Sequence, residues 1–289
     1  MDFGSALLAW YGPRERAYPW RRPRPDPYRV LVSEVMLQQT QAARVAPAYV
    51  AFLRRFPTVR ALAEAERAEV IKAWNGLGYN RRAVALSEAA RVILSEFGGK
   101  VPREPDDLRR LPGVGPYTSA AVASLAYGAP VPALDTNVRR VIARFVLGVE
   151  PHHAKPSAVA DASNAIVDRE DAGRWNQALM DLGREVCRPV PRCGLCPVAG
   201  GCRSLTVGHP GGWVPRRQGP FQGSFRQLRG KVVRAIAESD ASTVGALAAR
   251  TNESTERVAT AVRALASDGV VRAGPAALAG NPRGRVRLG

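Results

Sequence analysis

Apolar side chains recur every three or four positions through residues 28–204, in stretches such as AYVAFLRRF, AEVIKAW, AVALSEAARVILSEF and NVRRVIARFVLGV. That spacing lines one face of an α-helix, and no alternating pattern competes with it, so this part of the chain is predicted to be all-α. Proline and glycine punctuate the pattern at Pro57, NGLGYN, FGGKVP and YGAPVPALD, where helices should end. One stretch resists the amphipathic pattern. In VSEVMLQQTQ, residues 32–41, Glu34 lies inside the apolar run from Val30 to Leu37 and is followed by Gln38, Gln39, Thr40 and Gln41. A buried carboxylate is costly unless it is paired or put to use. The plain alternative is a solvent-facing Glu34, or one paired with Arg29 or Arg44.

Residues 207–222 carry seven Gly or Pro residues and read as a linker. Beyond it, residues 223–289 hold three helical patterns, SFRQLRGKVVRAIAES, TVGALAART and STERVATAVRALASDG, then the strand-like VVRAG and GRVRLG. Three helices followed by a two-stranded ribbon is the order of a winged helix-turn-helix. From Arg216 onward there are thirteen Arg or Lys against five Asp or Glu, and Arg283, Arg285 and Arg287 fall on alternate residues, as in a wing facing phosphate. Fold alone does not decide between a DNA contact and a protein contact here.

The chain of 289 residues has room for one large domain or two modest ones. It contains no apolar stretch of membrane-spanning length, and MDFGSALLAWYGPRER lacks the basic start and small-residue cleavage site of a signal peptide, so a cytoplasmic location is expected. A net charge of +17, supplied almost wholly by arginine since only four residues are lysine, favours a polyanion such as nucleic acid. An Ala/Arg/Gly/Pro-rich composition is the competing explanation of that excess. All four cysteines, Cys187, Cys193, Cys196 and Cys202, lie within sixteen residues in the spacing C-x5-C-x2-C-x5-C. Clustered thiols in a cytosolic chain point to metal rather than disulfides, either a cubane cluster or a zinc ion.

LPGVGPYTSAAV, Leu111 to Val122, runs from one helix through a Pro-Gly-Val-Gly turn directly into a second. Gly113, Val114 and Gly115 let the backbone come close to a ligand and aim N–H groups outward, where the helix N-terminus adds positive potential. This is the helix-hairpin-helix pattern of a phosphate clamp; an ordinary tight αα-turn is the alternative. In PALDTNVRRV, Asp135 closes a Pro-rich loop just before a helix. It suits an N-cap, and a carboxylate held beside a phosphate-binding hairpin can also face a sugar, with the helix N-terminus keeping it ionised.

SEVMLQQTQ, GLGY, LPGVGPYTSAAV, LDTNV, NQALMDLG and the cysteine run stand in the order seen in the MutY-type adenine-DNA glycosylases, which the chain resembles over roughly residues 8–204. These belong to the helix-hairpin-helix superfamily with endonuclease III. The resemblance implies residues 1–206 as a two-lobed glycosylase domain, with a six-helix barrel at about 21–130 and a [4Fe–4S] cluster lobe at about 1–20 and 131–206. It implies a monofunctional hydrolase, acting as a monomer on double-stranded DNA that carries adenine opposite 8-oxoguanine or guanine. Glu34 then looks like the acid that protonates a ring nitrogen of the leaving adenine, its pKa raised by burial. Asp135 looks like the fixed negative charge for an oxocarbenium-like sugar, its pKa held down. Tyr117 lines the site and Asn137 orients the catalytic groups. Gln39 wedges into the base stack beside Gln38 and Thr40, Tyr79 faces DNA, and Trp20 and Leu37 wall the adenine pocket, although each of these two is equally at home in a core. Endonuclease III-type lyases carry a lysine at the position of Tyr117.

Three features depart from the family. The first cysteine gap is one residue short of the usual x6, Asn80 stands where a second tyrosine is common, and the usual C-terminal reader of 8-oxoguanine is replaced by the winged-helix-like segment. A thymine or uracil mismatch glycosylase shares Tyr117 and Asp135, but pyrimidines leave more easily and have less need of Glu34. A non-catalytic iron–sulfur DNA-binding regulator would have no need of either carboxylate.

Overall fold

The computed structural model describes residues 2–23, 25–208 and 219–289; the core of the expected linker, residues 209–218, lies outside them. In chain order the elements are α1 (Phe3–Tyr11), α2 (Pro27–Leu37), α3 (Ala42–Arg55), α4 (Val59–Glu64), α5 (Arg67–Ala73), α6 (Arg81–Glu96), α7 (Pro105–Arg109), α8 (Pro116–Tyr127), α9 (Thr136–Ile142), α10 (Pro156–Ile166), α11 (Ala172–Glu185), α12 (Arg203–Thr206), α13 (Phe225–Ala237), β1 (Ala241–Thr243), α14 (Val244–Thr251), α15 (Thr255–Ser267), β2 (Val271–Ala273), α16 (Pro275–Leu278) and β3 (Arg285–Leu288). Every described residue before α13 is in a helix or a loop, as the three-to-four spacing predicts. No described helix is long and apolar enough to cross a membrane.

The chain forms two compact units, the first made of Met1–Glu34, Val101–Arg110 and Val114–Arg216. Its core gathers Leu7 and Tyr11 of α1, Val138, Val141 and Ile142 of α9, and Trp175, Ala178, Leu179 and Leu182 of α11. α11 is central, packing on α1, α8 and α9. The chain can start α11 where it does because the Asp171 side chain accepts the Arg174 N–H. Two buried ion pairs brace this unit, Arg21 to Asp181 at 3.0 Å and Arg144 to Glu150 at 2.9 Å.

The second unit is Val35–Lys100, Leu111–Gly113 and Arg217–Gly289. Its C-terminal segment folds as α13, β1, α14, α15, β2, α16 and β3, with an antiparallel sheet in the order β1-β3-β2. The three long helices lie where the sequence predicts them, but a fourth, α16, separates β2 from β3, and the sheet has three strands where the sequence predicts two. β1 is three residues long, too short for alternation to register. This segment does not hang free of the helices before it. Ile71 of α5 and Val84 of α6 belong to the same apolar cluster as Leu228, Val232, Ile236, Leu247, Val262, Leu265 and Leu288. Lys72 of α5 also meets Asp240 at 2.5 Å.

Candidate active site

Helices α7 and α8 are joined by the tight turn read from the sequence. Gly113 has φ of 77°, and a Cβ there would lie 2.7 Å from the Ala85 Cβ, so both the conformation and the close approach demand glycine. Val114 buries its side chain while Gly113 and Gly115 stay exposed, so the turn offers main chain rather than side chain to a ligand. Gly115 then caps α8, with Pro116 in its first turn, where a missing N–H costs nothing.

In the first turn of α8, the Tyr117 hydroxyl donates to Glu34 Oε2 at 2.9 Å and lies 3.8 Å from Met180 Sδ. Glu34 is 5 % exposed. It therefore neither faces solvent nor pairs with Arg29 or Arg44. Burial pushes its carboxyl up to about 7; the Tyr117 hydrogen bond and the positive field of Arg21 oppose that shift, and the nearby Asp135 charge adds to it.

Asp135 is the N-cap of α9. Its Oδ1 accepts the Val138 N–H at 2.6 Å, and its Oδ2 accepts from Asn137 Nδ2 at 2.9 Å. The capping expectation holds, but the expectation of a depressed pKa does not. Burial raises the Asp135 carboxyl above its ordinary 3.8, against the pull of Val138, Asn137 and Arg140. A cap alone gives the sign only when the carboxylate is solvated. The two carboxyls still differ in kind: Glu34 has one hydroxyl donor, whereas Asp135 has a main-chain N–H, an amide N–H and a nearby guanidinium favouring its charged form.

Residues to which the sequence reading gave no role set this geometry, Asn176 and Gly183 at the two ends of NQALMDLG and Arg140 in the helix after Asp135. Asn176 accepts from the Ala133 N–H at 2.8 Å and donates to Ser124 Oγ at 2.7 Å and to the Val131 carbonyl at 2.9 Å, which straps the loop leading to Asp135. Gly183 lets α11 press against α9, since a Cβ there would lie 2.7 Å from the Asn137 Cβ. Arg140 donates to Asn137 Oδ1 at 2.9 Å, to the Gly183 carbonyl at 2.7 Å and to the Cys187 carbonyl at 2.7 Å. One guanidinium thus ties the residue beside Asp135 to the first cysteine.

The four cysteines line one pocket together with Arg144, Val186, Pro191, Ala199 and Leu205. Among the described residues none is in a disulfide, and no three His, Cys, Asp or Glu side chains converge as the ligands of a single ion do. Four thiols lining one pocket are a complete four-thiolate donor set, which fits a cubane cluster and a zinc ion alike. Burial pushes the Cys196 thiol up to about 11 and raises Cys187 as well, while Arg144, whose Nη1 lies 3.8 Å from Cys187 Sγ, favours the thiolate. Arg144 also donates to the Arg188 carbonyl at 2.6 Å and the Pro189 carbonyl at 2.9 Å, shaping the loop between the first two cysteines.

Apart from Trp20, the remaining predicted contacts fall in the second unit, and Arg82 gathers the loops that carry them. Its guanidinium donates to the carbonyls of Val35 at 2.8 Å, Met36 at 2.9 Å, Gln38 at 2.6 Å and Gly78 at 3.1 Å, and to Thr40 Oγ1 at 3.0 Å. It also lies 5.4 Å from the Tyr79 ring centroid. Burial lowers its pKa to about 10, so it remains charged at neutral pH. Gln39 and Tyr79, on the two loops this clamp joins, have φ of 55° and 47°. Exposed non-glycine residues in the left-handed region carry strain that the surroundings must hold in place. Leu37 is half-buried at the end of α2. Trp20, in the first unit, is half-buried and stacks on Tyr18 at 4.9 Å and 7°.

Residues 32–163 match the family described as HhH-GPD superfamily base excision DNA repair protein. The chain is 45 % identical over 234 residues to the adenine DNA glycosylase of Mycolicibacterium smegmatis, covering 81 % of this chain and 80 % of that one. It is 42 % identical over 213 residues to the human adenine DNA glycosylase, covering 70 % of this chain and 39 % of the other. Among solved structures, a thermostable thymine-DNA glycosylase superposes with a TM-score of 0.64 at 33 % identity, over 69 % of this chain and 93 % of that one. A trapped endonuclease III–DNA covalent intermediate superposes with a TM-score of 0.60 at 23 % identity, over 71 % and 94 %, a likeness of fold.

Proposed function

Since this chain belongs to the adenine DNA glycosylases of the helix-hairpin-helix superfamily, we propose that it hydrolyses the N-glycosidic bond of adenine mispaired with 8-oxoguanine or guanine, leaving an intact abasic site. The observation that carries this reading is the buried Glu34 carboxyl, raised to about 7, beside a second carboxylate dressed with donors. Glu34 delivers its proton to a ring nitrogen of the flipped adenine, the C–N bond breaks with its electron pair going to the base, and Asp135 stabilises the cationic sugar. Water adds to the sugar carbon and passes a proton to the Glu34 carboxylate, which restores the acid. Tyr117 and Asn137 hold the two carboxyls in place through the contacts at 2.9 Å. Gln39, on a loop braced by Arg82, wedges into the base stack where the flipped adenine leaves, and Tyr79 faces the DNA.

The Cys187, Cys193, Cys196 and Cys202 thiols would hold a [4Fe–4S] cluster, which would fasten the loop and take no part in the bond cleavage. Purified protein should be brown and contain about four iron and about four sulfide per chain, four thiolates being one cubane's worth of ligands. A colourless, zinc-loaded preparation made without air would contradict the assignment.

The test of the activity is a single-turnover assay on labelled duplexes carrying A, T or U opposite guanine or 8-oxoguanine. Adenine should be released from both of its mispairs, and the strand should break only after alkali. Tyr117 has no amine with which to form a Schiff base, so borohydride should trap no covalent complex. The 33 % identity to a thymine-DNA glycosylase keeps thymine as the second reading. Thymine release without adenine release would establish it.

A further inference from the structure

Two sets of cations in the C-terminal segment, on α15 and on the sheet, differ in what they contact. On α15, Arg257 is paired with Glu253 at 2.8 Å, and Arg263 donates to the Leu278 carbonyl and to Thr260 Oγ1, each at 2.9 Å. Glu256 is exposed on the same helix. The helix that a winged helix-turn-helix ordinarily lays in a groove therefore presents committed cations and an extra acid.

The sheet is different. Val286 and Leu288 of β3 point into the core, so Arg285 and Arg287 share the opposite, exposed face. Arg272 of β2 is directly across from Arg287, and Thr243 of β1 is directly across from Arg285. Among the described residues, the guanidiniums of Arg272, Arg285 and Arg287 make no ion pair or hydrogen bond, and Glu238, Asp240 and Asp268 are already taken by Arg250, Lys72 and Arg229. Like charges directly opposed on neighbouring strands are destabilising. A cross-strand arginine pair with a third arginine two residues along, unrelieved by any acid, is what a surface for a polyanion requires.

We propose that this sheet face, through Arg272, Arg285 and Arg287, binds the phosphate backbone of duplex DNA, and that α15 is not the main DNA-contacting element of the segment. The proposal rests on the reading that DNA is the substrate. Phosphate contacts of this kind position a protein without specifying a base, so the face adds affinity rather than preference for the opposite base. Deleting the segment is a poor test, because it would uncover Ile71 and Val84.

The experiment measures binding of the full chain to an undamaged, labelled duplex across a salt series, with polyglutamate as an acidic-peptide control. The Arg272→Gln, Arg285→Gln, Arg287→Gln triple variant should bind the duplex more weakly, with a slope of log K against log salt shallower by about 2–3, since each phosphate left without its cation removes about 0.9 from the slope. The corresponding triple Lys variant should keep the parent's slope, which separates lost charge from a damaged fold. Arg257→Gln with Arg263→Gln should change the slope by less than about 1. The idea is overturned if the Gln triple variant binds the duplex with the parent's affinity and slope, if the α15 variant loses the slope instead, or if binding to polyglutamate alone is weakened. Undamaged DNA needs no base release, so a chain inactive on every mispair would leave this result standing, and the reverse holds equally.

Discussion

Replacing Glu34 with glutamine is expected to slow single-turnover adenine release by about 10²–10⁴-fold while leaving duplex binding nearly unchanged. Glutamine matches the size of glutamate and still accepts the Tyr117 hydroxyl, so the 2.9 Å contact survives and only the proton donor is removed. The same substitution should make the protein more stable above pH 7. A carboxyl raised from 4.5 to about 7 binds its proton more tightly in the folded chain than in the unfolded one. Stability therefore falls as pH climbs through that window, and above it a deficit of about 3 kcal/mol persists, which an uncharged side chain would remove. Thermal unfolding at pH 8 reads that difference. A Glu34→Gln variant that releases adenine within a few-fold of the parent would remove Glu34 from the mechanism.

Asp135→Asn is expected to cost about 10²–10³-fold in release, the range seen when one preorganised electrostatic partner of a developing charge is removed. The substitution is informative because asparagine also caps helices well, so the Val138 N–H keeps an acceptor and the start of α9 is preserved. What disappears is the negative charge, together with the acceptor for Asn137 Nδ2. Loss of release with the parent's unfolding midpoint assigns the effect to charge. A folded Asn variant with the parent's rate would mean that the cap is the whole role of Asp135.

Much of this site is legible in the chain because its residues sit in short, unusual strings. Glu34 stands out against an apolar run, Gly113 and Gly115 stand out in a turn, and four cysteines crowd into sixteen residues. The supporting groups leave no trace of what they do, not even Gly183 at the end of NQALMDLG. Arg140 looks like one more surface arginine in an arginine-rich chain until its guanidinium is seen meeting Asn137, Gly183 and Cys187. Gly183 looks like a flaw in a helix until its neighbour proves to be Asn137. Arg82 gathers carbonyls from Val35 to Gln38 and from Gly78, a convergence that only the folded chain brings about. The direction of the Asp135 shift is hidden from the sequence for a related reason: a cap is a local property, whereas burial depends on everything packed around it. In the C-terminal segment the helices are evident from periodicity, but the shared core with Ile71 and Val84 is not, because nothing in a periodic pattern says which face meets which partner.

The central claim, that a carboxyl kept protonated near neutral pH drives adenine release, is tested most directly by the pH dependence of single-turnover release at saturating enzyme. The rate should be sustained below pH 7 and then fall about tenfold per pH unit above the Glu34 pKa of about 7, with that descending limb absent in Glu34→Gln. A rate that is level or rising between about pH 7 and 9, or a descending limb that persists in the Gln variant, would contradict the account.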